Sequence, residues 1–85
     1  MFFYVYILEN EDKRRYIGYT DDLKRRIEEH NSGQNRSTKT YRPWVVIFYE
    51  AYRNKNDAIR REHYLKTTQG RRALDRMLAN HILDT

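Results

Sequence analysis

The stretch FFYVYIL, residues 2–8, decides the fold of this chain. Its side chains are aromatic, β-branched or aliphatic on both faces of an extended backbone, which is typical of a central strand buried on two sides. Polar residues 10–13 supply a turn, and RYIGY, residues 15–19, follows as a second short strand. We expect the two strands to pair as an antiparallel hairpin, in which Gly18 indicates a bulge or the close approach of another backbone.

Three helices and one more strand are predicted after the hairpin. Thr20-Asp21-Asp22 opens the first helix, since a hydroxyl cap and carboxylates suit the positive end of a helix dipole. Gly33 stops that helix, a polar and basic loop over residues 31–42 ends at Pro43, and Gly70 separates the second helix from the third. The sequence therefore predicts one α/β domain over residues 1–85, a three-stranded, mostly antiparallel sheet flanked by helices. Strands are predicted near residues 2–8, 15–19 and 44–52, and helices near residues 21–31, 55–68 and 71–81.

Length and composition narrow the class of protein. Eighty-five residues make one domain with a single small core. The absence of cysteine excludes a disulfide framework and thiolate metal ligands. No apolar run reaches the ~18 residues that cross a membrane, and residues 2–8 lack the basic leader and cleavage site of a signal peptide. We therefore expect a soluble, cytoplasmic protein with no membrane partner.

The charge distribution points to a polyanionic partner. The chain has 17 basic residues against 12 acidic ones, a net charge of +5. Residues 1–12 contain no base, whereas residues 13–42 hold nine bases against four acids and residues 53–76 hold eight against three. Two basic segments on one face would neutralise phosphates. A solvated basic surface without a ligand is the alternative.

The first helix is predicted to turn two polar side chains toward the sheet. A helix turns ~100° per residue, so Leu23 and Ile27 define its apolar stripe. His30 projects between them, and Arg26 lies to one side. An arginine and a histidine are therefore expected on the buried side of this helix rather than in water.

The second helix carries a carboxylate in the same way. Glu62 falls inside the stripe set by Ala58, Ile59 and Leu65. A buried charge without a partner is costly, so Glu62 needs one. One arrangement is an internal salt bridge with Arg26. The other is a cleft in which Arg26 and His30 meet a phosphate and Glu62 meets a cation.

This order of motifs resembles the GIY-YIG nuclease family. The resemblance covers residues 2–66 and rests on Val5-Tyr6, Tyr16-Ile17-Gly18, Arg26 with His30 four residues on, and Glu62. It is strongest to small stand-alone members similar to the nuclease module of the excision-repair incision subunit, which Arg42-Pro43-Trp44 and residues 61–66 fit. The glycine of the family's first motif is replaced by Tyr4, as in that subgroup.

The resemblance implies catalytic roles for five residues. Glu62 would be the single protein ligand of a divalent metal, Mg²⁺ or Mn²⁺, with water and substrate phosphate as the other ligands. Arg26 would hold the scissile phosphate. Tyr6 or Tyr16 would orient or deprotonate the attacking water, and His30 would relay that proton or bind a phosphate. We expect all five side chains to line one surface-open cleft.

The resemblance also implies a nucleic-acid surface. Gly18 would keep the strand open to substrate. From its own charges, a mobile basic loop beside the cleft is expected to contact the backbone through Arg36, Lys39 and Arg42, and an idle loop is the alternative. The expected reaction is structure-selective cleavage of DNA phosphodiesters in repair or recombination, with targeting supplied by a protein partner. The residues do not distinguish DNA from RNA. A non-catalytic nucleic-acid-binding module and a protein-interaction domain are the alternatives.

Overall fold

The structure, a computed structural model, describes residues 1–84 and is built on a three-stranded sheet. Strand β1 (Phe3–Glu9) lies in the centre, between β2 (Arg15–Thr20) and β3 (Val45–Tyr52). Both pairings are antiparallel. The predicted central position of the first strand and the α/β class are therefore confirmed, because β1 is apolar on both faces and is covered on both.

The turn between β1 and β2 is fixed by Asn10. Its side-chain oxygen accepts hydrogen bonds from the backbone N–H groups of Asp12 and Arg14, at 3.1 and 2.9 Å. Lys13 adopts a φ of 67°, a left-handed conformation within this tight turn. The pairing then runs without interruption from Glu9–Arg15 to Tyr4–Thr20.

The sheet contains one irregularity in its register, and it is not at Gly18. It lies in the pairing of β1 with β3, where Leu8 is opposite Val46 and Ile7 is opposite Phe48, so that Ile47 is extra. The bulge predicted at Gly18 is therefore wrong. Gly18 pairs regularly with Tyr6, and its missing side chain has another use, described below.

Helices cover both faces of the sheet. Helix α1 (Leu23–Ser32) packs on the face that carries Tyr6 and Leu8. Helices α2 (Lys55–Leu65) and α3 (Thr68–Met77) pack on the opposite face, and the short α4 (Ala79–Leu83) follows. Two separate apolar cores result: Tyr6, Leu8 and Trp44 on the α1 side, and Val5, Ile7, Ile17, Ala58, Leu65, Leu74 and Leu78 on the α2 side.

The predicted ends of the first helix are confirmed, and the predicted end of the second is wrong. Asp22 caps α1 by accepting from the backbone N–H of Arg25 at 3.1 Å, and Gly33 ends it at a φ of 85°, as predicted. The predicted break at Gly70 is wrong, since Gly70 lies inside α3 and its N–H is capped by Thr67.

Gly70 is needed for close helix packing rather than as a helix stop. A Cβ there would overlap the backbone carbonyl of Tyr64 and lie 2.7 Å from the Cα of Leu65. The turn from α2 into α3 depends on that approach. The predicted last helix is in fact divided at Leu78, which separates α3 from α4. Within residues 1–84, no helix has the length and apolarity needed to cross a membrane.

Candidate active site

A chain of hydrogen bonds runs from the sheet into the loop after α1. The hydroxyl of Tyr6 lies 2.8 Å from Nε2 of His30, and Nδ1 of His30 lies 2.7 Å from Oγ1 of Thr38. The Thr38 hydroxyl in turn donates to the carbonyl of Asn35 at 3.4 Å. A neutral imidazole has one donor and one acceptor nitrogen. Each nitrogen of His30 has one such partner, Tyr6 at Nε2 and Thr38 at Nδ1.

Burial controls the protonation of this chain. Burial, and then the charge of Arg26, lower the pKa of His30 below its ordinary range. Burial, and then the neighbouring Tyr16, raise the pKa of Tyr6 far above its ordinary value, against the opposing effect of Arg26. Both rings therefore stay neutral at pH 7. Tyr6 is therefore poorly suited to act as a base.

Gly18 makes room for the Tyr6 phenol. A Cβ at Gly18 would overlap the Tyr6 hydroxyl, would lie 2.5 Å from Cζ of Tyr6 and would lie 2.9 Å from Cε1 of Tyr16. The phenol thus lies across the opposite strand and reaches His30. The prediction of a close approach at Gly18 was right in kind, but the approaching group is a side chain rather than another backbone.

Tyr16 occupies the outer side of the same cluster. Its ring packs edge-on against the His30 ring, with centroids 4.7 Å apart, and lies 6.2 Å from the Tyr6 ring. It is half-buried, and within residues 1–84 its hydroxyl has no hydrogen-bond partner. Of the two tyrosines, Tyr16 is therefore the one whose hydroxyl is available to water or substrate.

Arg26 is accessible and only weakly paired. Its side chain is 38% exposed, so the expectation that it lies on the buried side of α1 is wrong, and within residues 1–84 it pairs with Glu29 alone, one turn along α1, at 3.8 Å. It borders a surface depression together with Glu29, Gln34, Asn35 and Arg36. The internal Arg26–Glu62 salt bridge that the sequence left open is absent, since neither group pairs with the other.

Glu62 is nearly buried and pairs with lysine. Its side chain is 12% exposed, with Lys66 Nζ 2.6 Å from one carboxylate oxygen and His63 Nε2 3.5 Å from the other. The negative charge of Glu62 contributes to the raised pKa of Tyr6, so the two side chains are within electrostatic range of each other. This holds although α2 and Tyr6 are on opposite faces of the sheet.

The two faces of the sheet meet at the free edge of β2. One groove there is lined by Tyr16, which points to the α1 side, and by Lys66, the partner of Glu62, from the α2 side. The predicted single cleft open to the surface is nevertheless wrong. Tyr6 and His30 are 1% and 0% exposed and lie beneath the surface. Tyr16, Arg26 and the Glu62–Lys66 pair are the groups within reach of a ligand.

Hydrogen bonds anchor the basic loop. Trp44 Nε1 donates to the carbonyl of Thr38 at 2.9 Å, the side chain of Asn31 bonds both backbone groups of Trp44, and Asn10 donates to the carbonyl of Tyr41 at 2.9 Å. A 3₁₀ turn (Lys39–Tyr41) lies within it. Polar side chains therefore hold the loop against the rest of the domain, and its mobility stays a prediction.

The three basic residues of this loop have different surroundings. Arg36 borders the depression that also contains Arg26. Arg42 and Lys39 lie against Gly33, where a Cβ would overlap the Arg42 guanidinium and lie 3.6 Å from Cγ of Lys39. Their charges are close to the C-terminus of α1, which stabilises that helix. Arg36 is therefore the loop residue nearest to the candidate catalytic groups.

This geometry matches a known class of protein. A family model described as the GIY-YIG catalytic domain matches residues 2–75. The chain belongs to the GIY-YIG family. Its fold is therefore of the nuclease type, and the resemblance found in the sequence is confirmed.

Relatives of this GIY-YIG protein are small proteins of similar length. A UPF0213 protein of Staphylococcus haemolyticus is 43% identical over 65 residues, which make up 75% of this chain and 79% of that protein. A UPF0213 protein of Staphylococcus aureus is 40% identical over the same share of each. The solution NMR structure of a UPF0213 protein from Bacillus halodurans has a TM-score of 0.57 at 35% identity, and the match covers 91% of this chain and 85% of that one.

A metal ion in this GIY-YIG domain would have few protein ligands. Within the described part of the chain, no group of three or more His, Asp or Glu side chains is arranged to hold an ion. Glu62 is a single hard carboxylate, which suits Mg²⁺ or Mn²⁺ when water and a substrate phosphate complete the octahedron. The residues thus fit a metal that binds with substrate. The Lys66 ammonium now holds the cation position at Glu62 and would have to move.

Two residues that contact the candidate site were not identified from the sequence. Thr38 bonds Nδ1 of His30, and Lys66 is the counter-ion of Glu62. Lys66 follows Glu62 by one helical turn, and this i,i+4 spacing is a signal that sequence analysis can use. Thr38 has no such signal, because it lies eight positions after His30, beyond the end of α1.

Proposed function

We propose that this protein is a metal-dependent endonuclease that hydrolyses DNA phosphodiesters, selects its substrate by structure rather than by sequence, and acts in DNA repair or recombination. The observation that carries the proposal is the state of Arg26 and Glu62. Both are within electrostatic range of Tyr6, yet they do not pair with each other. If Arg26 and Glu62 had a purely structural role, we would expect them to form a salt bridge with each other, because a buried charge without its partner is costly.

Some residues of the site would bind the phosphate, and others would position the attacking water. Arg26 binds the scissile phosphate through its planar guanidinium. The Tyr16 hydroxyl, which has no hydrogen-bond partner within residues 1–84, orients the attacking water. Tyr6 and His30 are positioning residues, because their hydrogen bond and the edge-on ring contact hold Tyr16 in place. Glu62 would hold Mg²⁺ or Mn²⁺, which supplies positive charge at the leaving oxygen.

The net charge of +5 and the basic residues beside the site support nucleic acid as the substrate class. RNA offers the same phosphate chemistry, so cleavage assays on matched DNA and RNA separate the two. We also propose that a protein partner directs the domain to its substrate. The Glu62–Lys66 ion pair favours one other function, a non-catalytic nucleic-acid-binding domain in which Lys66 permanently neutralises Glu62.

Glu62→Gln separates the enzyme from the binding domain. The change keeps size and removes the charge that would hold the metal, so cleavage of branched or flapped DNA with Mg²⁺ or Mn²⁺ should disappear. Binding of the same DNA without metal should stay or improve slightly, since a negative charge near the phosphate is lost. The fold should survive, because the partner Lys66 is 48% exposed and such ion pairs contribute about 1 kcal/mol or less.

The matched control is Glu28→Gln, which changes an exposed carboxylate on α1 that makes no ion pair within residues 1–84. That variant should cut as the wild type does. A wild-type protein that binds DNA but does not cut it with either metal, or a Glu62→Gln variant that still cuts, would leave only the binding domain.

Binding through the basic loop is tested by salt dependence. Alanine at all three loop positions should weaken metal-free DNA binding and reduce the slope of log affinity against log salt by about 2–3, since each phosphate contact contributes ~0.9. Circular dichroism checks that α1 keeps its C-terminal contacts. An unchanged slope would mean that the loop does not touch the backbone. The three positions are Arg36, Lys39 and Arg42.

A further inference from the structure

A groove along the outer side of β2 leads away from the candidate active site. It is lined by Arg15, Tyr16 and Ile17 of β2, by Lys66 after α2 and by Arg71 of α3. We call it the β2-edge groove. It shares Tyr16 with the site described above, so a ligand in the groove would be in contact with the catalytic groups. Its basic residues come from three different elements that only the fold brings together.

The acidic groups of the domain neutralise two of the three cations in the groove. Arg15 pairs with Glu9 at 3.2 Å and with Asp75 at 3.4 Å. Lys66 pairs with Glu62 at 2.6 Å. These interactions fix the two side chains in place and leave them little capacity for a further anion.

Arg71 differs from both of its neighbours in the groove. Its Nε donates to the backbone carbonyl of Lys66 at 3.4 Å, and within residues 1–84 it has no acidic partner. The terminal nitrogens of its guanidinium are thus free to form a bidentate contact. A phosphodiester is the ligand that this geometry suits, because its two non-bridging oxygens match the planar fork and carry the opposite charge.

The positions of the two basic depressions define a path for a strand. The depression with Arg26 and Arg36 is lined by α1 and the loop that follows it, and the β2-edge groove is lined by β2, α3 and Lys66. We propose that the β2-edge groove binds the phosphodiester backbone next to the bond that is cut, with Arg71 as its main phosphate contact. This rests on the proposed function, since it assigns one flank of the same substrate.

The neighbouring residues Arg71 and Arg72 provide a matched test. Both are exposed arginines on α3, and only Arg71 lines the groove. Each is replaced by alanine, and binding of a fluorescent flapped DNA is measured by anisotropy without metal, across a range of about 50–200 mM salt. Arg71→Ala should lower affinity about fivefold or more at low salt and reduce the salt slope by about 0.9, the value of one phosphate contact. Arg72→Ala should reduce neither by a comparable amount.

A further variant separates charge from geometry. Arg71→Lys keeps the charge and loses the fork, so it should restore the salt slope while recovering only part of the affinity. Equal salt slopes for Arg71→Ala and Arg72→Ala, with wild-type protein that still binds and cuts DNA, would overturn the groove and leave the proposed function standing. Wild-type protein that neither binds nor cuts DNA would overturn both.

Discussion

Gly18→Ala should damage the site without removing any of its functional groups. The new Cβ would overlap the Tyr6 hydroxyl and lie 2.5 Å from Cζ of the same ring. Ordinary carbon contacts are about 3.5–4.0 Å, so the Tyr6 ring has to withdraw by about 1 Å. The 2.8 Å hydrogen bond to His30 would then exceed the range of about 2.5–3.0 Å in which such bonds form.

The cost of this displacement follows from two contributions. Overpacking in a filled core costs about 1–3 kcal/mol, and the lost hydrogen bond costs about 1 kcal/mol more. Together they predict a loss of about 2–4 kcal/mol in the free energy of unfolding, less about 0.5 kcal/mol from the stiffer unfolded chain. For a domain of this size the melting temperature should fall by roughly 10–20 °C. A shift of about 1 Å in a positioning group should also lower the cleavage rate roughly 100-fold.

The assay combines thermal unfolding by circular dichroism with NMR of the His30 ring. Gly70→Ala is the control, because its Cβ meets the backbone of α2 on the opposite face of the sheet. It should also lower the melting temperature, but it should leave the His30 resonances in place. A Gly18→Ala protein that melts with the wild type and keeps the Tyr6–His30 hydrogen bond would refute the reasoning.

Two further predictions concern charge. Lys66→Met removes the ammonium that lies 2.6 Å from Glu62, so the affinity for Mn²⁺, measured by paramagnetic broadening, should rise severalfold. The control Lys55→Met should bind Mn²⁺ as the wild type does. Equal affinities of Lys66→Met and wild type would show that Lys66 does not compete with the metal. Burial lowers the pKa of His30, so the unfolded chain takes up a proton that the folded protein refuses, and stability should fall as pH drops below about 6.5. Urea unfolding at about pH 7.5 and about pH 5 should show this loss of stability. The contribution of His30 to the loss should be missing in His30→Gln and present in His63→Gln, which changes an exposed histidine. A pH dependence of stability that is unchanged in His30→Gln would contradict the assignment.

The fold was largely predictable because its main signals are local. The two-sided apolar pattern of residues 2–8 predicted a central strand, and the structure confirms it. Gly33 was correctly predicted to end a helix, since a left-handed cap is a property of a few neighbouring residues. Gly70 was misread as a helix break. The sequence contains no sign that the backbone of Tyr64 would come so close, because that contact exists only once α2 and α3 have packed.

Which side chains turn inward was easier to predict than how they are arranged. Helical periodicity correctly showed that His30 and Glu62 turn toward the sheet. It does not show which face of the sheet each helix covers, so the sequence predicted one cleft where the structure has two faces that meet at an edge. The burial of Tyr6 was also missed. It depends on the register that places Tyr6 opposite Gly18, and that register is a tertiary property.

The free edge of β2 has a consequence for how this domain can assemble with other chains. A sheet grows by hydrogen bonding only at its outer strands, which here are β2 and β3. A strand added to β2 would cover Tyr16 and the β2-edge groove, and it would shut out a ligand. β3 is the edge where another strand can pair without obstructing them, and its Val45 and Tyr49 are 63% and 55% exposed. Quaternary assembly by strand addition is therefore compatible with an open site on the β3 side alone.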